Sequence, residues 1–108
     1  MNMPDMIAKT PNPPYYAVIF CSVRTEGDNG YSRMAEQMVE LAEKQSGFLG
    51  VESARNELGI TVSYWKQNAE HTIARHKGRK LWFRNFKTRI AKVETDYAFD
   101  IGYQQQHI

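Results

Sequence analysis

From Tyr15 to Val23 (YYAVIFCSV) apolar residues fill both faces of a two-residue repeat. Tyr15, Ala17, Ile19, Cys21 and Val23 lie on one, and Tyr16, Val18 and Phe20 on the other. That pattern predicts a strand covered on both sides. Arg24 to Gly30 then supplies turn residues, with Asp28 or Asn29 available as a helix N-cap. Over Tyr31 to Gln45 the period changes to 3.6: Tyr31, Met34, Ala35, Met38, Leu41 and Ala42 share one side, while Glu36, Glu40 and Glu43 point elsewhere. An amphipathic helix follows, its methionines filling a core and Ser46-Gly47 supplying the stop. Phe48 to Arg55 and Ile60 to Trp65 read as strands joined by the hairpin-length link Asn56-Glu57-Leu58-Gly59. In the second, Ile60, Val62 and Tyr64 face one way and Thr61, Ser63 and Trp65 the other. Asn68 to about Phe83 forms a second helical pattern, capped by Asn68 and weakened by about 1 kcal/mol at Gly78 relative to alanine. Thr88 to Tyr97 completes the series as a strand, Ala91, Val93 and Tyr97 alternating with Lys92, Glu94 and Asp96.

The order β-α-β-β-α-β is an α+β arrangement of the ferredoxin-like, split βαβ kind. Residues 15–97 form its domain. Residues 1–14 hold all four prolines and are expected to be a flexible lead-in, and residues 98–108 a polar tail. Two helices cover one face of a four-stranded sheet, yet the first strand is apolar on both. The second face is therefore expected to pack against a second copy, giving a two-fold homodimer with a cavity between each sheet and its helices.

At 108 residues the chain supports one domain, and 42% hydrophobic against 24% charged residues argues against disorder. A folded unit of roughly 85 residues buries roughly two-thirds of its surface, so a partner subunit would help. The N-terminus lacks a basic stretch followed by an apolar run, and no apolar stretch approaches the ~20 residues that span a bilayer. A soluble, cytoplasmic protein without a membrane partner is the expectation. Cys21 is the single cysteine, which excludes an intrachain disulfide and suits a core thiol. Net charge is +2, but residues 75–92 carry eight bases and no acid. Trp82, Phe83 and Phe86 interleave with Arg84 and Lys87 there, a mixture that single-strand nucleic-acid surfaces use. The strands lack an RNP-like aromatic signature, and the basic run sits on the second helix and its exit. It reads as a solvated face rather than a nucleic-acid site.

Six pieces of the chain, YYAVIF, MAEQMVELAEKQSGFLGVESAR, GITVSYW, NAEH, GRKLW and TRIAKVETDY, resemble in this order the antibiotic biosynthesis monooxygenase (ABM) domain family, over about Tyr15 to Tyr97. The resemblance implies a dimeric α+β barrel. Relatives in that family include cofactor-free oxygenases that convert aromatic polyketides to quinones, and oxygenases that open haem. The sequence departs from the family where a short extra helix, ending in a second tryptophan, usually follows the SYW strand. Trp65 is here followed at once by Lys66-Gln67-Asn68. Either a stretch of pocket wall is lost, or a segment is absent from this sequence.

The resemblance implies a monooxygenase that acts with O₂, without flavin or nicotinamide, on a small aromatic molecule of anthrone or quinol type. Such chemistry needs hydrogen-bond donors that favour an anionic substrate and a dry aromatic pocket. Tyr64, Trp65, Asn68 and His71 are the candidate catalytic residues, and Arg75, Trp82 and Arg89 the candidate substrate-binding ones. The plainer reading of Tyr64, Trp65 and Trp82 is packing in the core or a dimer interface. Haem degradation is an alternative, with His76 placed after Asn68 where haem-degrading relatives carry their axial histidine. A third reading is a non-catalytic dimer that binds a small ligand. His71 and His76 stand about 140° apart around a helix, so they do not form a metal pair, and no metal site is expected.

Overall fold

The structure is a computed structural model, and it describes residues 6–27, 30–67 and 83–99. Among the described residues five elements follow one another: β1 (Tyr15–Arg24), α1 (Tyr31–Glu43), β2 (Phe48–Arg55), β3 (Gly59–Trp65) and β4 (Phe83–Val93). The strands form one sheet in the order β2-β3-β1-β4, and every neighbouring pair is antiparallel. The architecture is α+β. The second helical pattern, its cap Asn68 and Gly78 lie outside the described residues, except Phe83. That residue opens β4 rather than closing a helix.

β1 is the inner strand that β3 and β4 share, and it sets the extent of both ladders. Its pairing with β4 runs from Tyr15 opposite Val93 to Arg24 opposite Phe83, with a register shift between Val23 and Arg24. The last strand therefore lies over Phe83–Val93 and not over Thr88 to Tyr97. It stops at Val93 because the partner strand runs out at Tyr15, directly after Pro14. It begins early because Phe83 and Phe86 both pack on Phe20, with ring centroids 5.3 and 5.5 Å away. Glu94 to Phe99 follow without regular structure and are exposed.

Gly30 is the N-cap of α1, in the left-handed region at φ +82°, and its carbonyl accepts the Met34 N–H at 3.0 Å. Among the described residues no side chain caps the helix. Asp28 and Asn29, the expected caps, lie outside the described residues. The helix ends at Glu43, two residues short of the expected limit. Gly47 turns the chain at φ +92° into β2, where its carbonyl accepts the Lys66 N–H at 2.8 Å.

Strand alternation gives the sheet two unlike faces. One carries Val18 and Phe20 of β1, Val51 and Ser53 of β2, Thr61, Ser63 and Trp65 of β3, and Thr88 and Ile90 of β4, and α1 lies over it. Val18 and Trp65 are its buried centre, with Ala42, Phe48 and Ile90 packed around them. The opposite face carries Ala17, Ile19 and Cys21, then Ile60, Val62 and Tyr64, then Arg89 and Ala91. Cys21 is accordingly a half-buried thiol on this second face, not a core one.

The lead-in touches the second face at one end. Ala8 N–H donates to Glu52 at 2.9 Å, and Thr10 Oγ1 donates to the Tyr15 hydroxyl at 3.0 Å. Gly50 permits this approach, since a Cβ there would lie 2.9 Å from Ala8 Cβ. Val18, 4% exposed on the inner strand, is the most direct probe of the core. Val18→Ala should lower unfolding stability by about 2 kcal/mol, read as a lower urea midpoint at unchanged slope.

Candidate functional site

The amphipathic pattern of α1 is realised, yet no residue of the helix is buried. Its apolar side faces a space rather than a filled core. Tyr31, Met34, Ala35, Met38, Leu41 and Ala42 all line a cavity of about 390 Å³ between the helix and the sheet. Such a volume is within the range of small-molecule pockets.

Aromatic contacts close the two ends. Tyr31, the first residue of α1, meets Phe83 edge to face at 5.6 Å. At the other end Phe48 meets Trp65 edge to face at 5.3 Å, and Ala42 packs on the same cluster. The Trp65 indole N–H donates to Ser63 Oγ at 2.9 Å, which fixes the ring plane. Val18, Phe20 and Val51 contribute apolar floor, while Ser53, Thr61, Ser63 and Thr88 contribute hydroxyls. Gln45 adds an amide. Among the described residues, no acid, lysine, arginine or histidine lines the space.

Two guanidiniums lie just outside it, on Tyr31. Arg24 is 3.6 Å and Arg55 5.9 Å from the ring centroid. Arg55 crosses Gly59, where a Cβ would collide with its guanidinium, to donate to Ser22 Oγ. Arg24 donates to the Gly27 carbonyl at 2.9 Å. Both cations are thereby tied to the sheet end that carries Tyr31.

Among the described residues, Trp65 is the sequence-predicted site residue that lines this cavity. Tyr64, its neighbour along the strand, points to the opposite face, because successive strand residues alternate. There its hydroxyl donates to Glu52 Oε1 at 2.7 Å and its ring meets Tyr15 edge to face at 5.8 Å. Arg89 is also on that face, with Nη1 3.8 Å from Cys21 Sγ. Tyr64 and Arg89 therefore do not share a pocket with Trp65. Asn68, His71, Arg75, His76 and Trp82 lie outside the described residues. The hydroxyls of Ser53 and Thr88 escaped the sequence reading, although the alternation in β3 already put Thr61 and Ser63 beside Trp65. Among the described residues no group of three or more His, Cys, Asp or Glu is arranged to hold a metal, and no helix is long and apolar enough to cross a membrane.

A four-stranded antiparallel sheet with a helix propped over one face, and a small-molecule-sized cleft between them, is the class of protein this geometry defines. The chain belongs to the family of YqjZ from Bacillus subtilis, described as an uncharacterized protein, with 49% identity over 108 residues, 90% of this chain and 95% of that relative. No protein-family model matches the sequence. The fold is similar to that of PA3566 from Pseudomonas aeruginosa, with TM-score 0.59 and 15% identity over 81% of this chain and 99% of that one. It is likewise similar to NE2512, a protein of unknown function from Nitrosomonas europaea, with TM-score 0.59 and 13% identity over 80% and 93% of the two chains.

The tyrosines of the second face have a consequence that can be titrated. Burial, then the Glu52 carboxylate, pushes the Tyr64 phenol well above its ordinary range. Burial, then the hydrogen bond to Asp96, raises Tyr15. Each phenol ionises near pH 10 in the unfolded chain and later in the folded one. Their stabilisation is thus fully present below pH ~10 and is lost as pH rises through the folded values. Tyr64→Phe should remove a late-titrating phenol from the absorbance titration at 295 nm and make the fall in urea midpoint above pH ~10 shallower. Loss of a phenol that titrates at the ordinary value would contradict the Glu52 contact.

Proposed function

We propose that the protein is a cofactor-free oxygenase of the ABM type, holding a small aromatic molecule under α1 and oxidising it with O₂. The observation that carries this reading is the space between α1 and the sheet, walled by Trp65, Phe48, Phe83 and Tyr31. In an anthrone-like substrate, loss of a ring CH proton gives a carbanion that passes an electron to O₂. One oxygen atom becomes the new carbonyl, and the other leaves as water with the two hydrogens of the former CH₂. The substrate supplies every electron, so no flavin or nicotinamide is required. A largely apolar, aromatic-walled space suits both the ring system and O₂. Trp65 would hold the ring, and Asn68 and His71 would stabilise the anion.

The antiparallel order β2-β3-β1-β4 supports a ferredoxin-like plan. Ile19, Cys21, Ile60 and Val62 offer the apolar surface for a homodimer, Ile60 being 39% exposed. Covering roughly 400 Å² of it would contribute about 10 kcal/mol before association costs, at about 25 cal/mol per Å². Light scattering at micromolar concentration should give a dimer, and Val62→Glu, which places a charge on that surface, a monomer. A monomeric unsubstituted protein would remove the dimer from the proposal.

Binding without turnover is the second reading. It is favoured by the polar groups of the lining among the described residues, hydroxyls and one amide, which can hold a ligand by hydrogen bonds. An oxygen electrode separates the two. Anthrone or a naphthoquinol should draw down O₂ in the presence of the protein and of chelators alike, and Asn68→Ala or His71→Ala should lower kcat by about 10²- to 10³-fold. No consumption above the buffer blank, with folded protein, leaves the binding reading in place.

A further inference from the structure

The floor of the cavity is not uniformly apolar. Ser53 of β2 lies opposite Thr61 of β3 in the register, and Ser63 follows Thr61 by two residues on the same face. Cross-strand partners are about 5 Å apart and same-face neighbours along a strand about 7 Å. The three side chains therefore spring from the corners of a triangle of roughly those dimensions, and all three line the space. Ser63 Oγ accepts the Trp65 indole N–H, which leaves its own hydrogen to donate elsewhere. Among the described residues, none supplies a hydrogen-bond partner to the Ser53 or Thr61 hydroxyl.

We infer that Ser53, Thr61 and Ser63 form a polar-edge reader, selecting a neutral, flat ring molecule that carries a hydroxyl or carbonyl on one edge. This deepens the reading of the cavity as the ligand site and rests on it. Ser53 is exposed and Thr61 and Ser63 are half-buried, and a ring seated on them under α1 would displace their water, which is costly where nothing replaces its hydrogen bonds. The ligand must answer them with hydrogen-bonding atoms of its own. The lining among the described residues holds no cation to receive a carboxylate, and an unpaired buried charge costs far more than a buried hydroxyl, so these walls favour a neutral edge. Arg24 and Arg55 lie beyond Tyr31 and are held by Gly27 and Ser22. The apolar walls Met34, Met38, Phe48 and Val51 discriminate by shape alone.

Binding of 2-naphthol, naphthalene and 2-naphthoate to the full chain at pH 7, by calorimetry, tests the assignment. These probes share one ring system and differ only at the edge. Thr61→Val keeps the β-branched shape and removes the hydroxyl, and Ser53→Ala removes the second. Each should weaken 2-naphthol relative to naphthalene by about 10-fold. Should Thr61→Val fail to fold, Ser53→Ala carries the comparison. Unchanged ratios in the folded variants, or 2-naphthoate as the tightest ligand, would overturn the edge reader while leaving the cavity a binding site. No binding of any probe would overturn both. The expected ratios without oxygen consumption would remove the oxygenase reading alone.

Discussion

Two contacts prop α1 over the sheet, one between aromatic rings and one through Ala42, and the cavity lies between them. Tyr31 stands on Phe83 at the start of the helix, while Ala42 rests on the Phe48–Trp65 pair near its end. Between these props the helix offers flexible methionines to a floor built partly from small hydroxyl residues. Side chains of that size do not meet across the gap. An edge-to-face aromatic pair contributes about 0.5–1.5 kcal/mol beyond its area, so the two ends can offset part of what an unfilled centre loses in dispersion. A ligand that filled the centre would restore those contacts and so stabilise the fold through mass action.

The same sheet keeps separate kinds of interaction on its two faces. Under the helix the described polar groups are uncharged and small. On the other face the ionisable groups cluster: Glu52 takes a hydrogen bond from Tyr64 and another from the lead-in, and Asp96 takes one from Tyr15. That network ties the segments before β1 and after β4 to the end of the sheet where Trp65 closes the cavity from the other side. Tyr64 therefore supports Trp65 through the strand they share, and not by joining it in one pocket.

Much of this was legible in the sequence because the patterns were local. The 3.6-residue repeat from Tyr31 to Ala42 identified the helix and the side that lines the cavity, and the alternation from Gly59 to Trp65 separated Trp65 from Tyr64. Grouping those two residues into one site failed by ignoring that alternation. The strand at Phe83 was hidden for another reason. Arg84, Asn85 and Lys87 look like a solvated helix exit, and only pairing with β1, far away in the chain, makes a strand of them. Ser53 and Thr88 were invisible as site residues because isolated hydroxyls carry no motif. What singles them out is the register that brings them to one floor.

The central claim is that the space under α1 is where this protein takes its ligand, and its methionines report on it directly. Met34 and Met38 line the cavity, whereas Met6, 78% exposed, lies in the lead-in away from it. With ¹³C-methyl methionine and 2-naphthol added to the full chain, ring-current shifts should appear at the Met34 and Met38 methyls and saturate together, with Met6 unmoved. Saturable binding that leaves Met34 and Met38 unshifted would contradict the account.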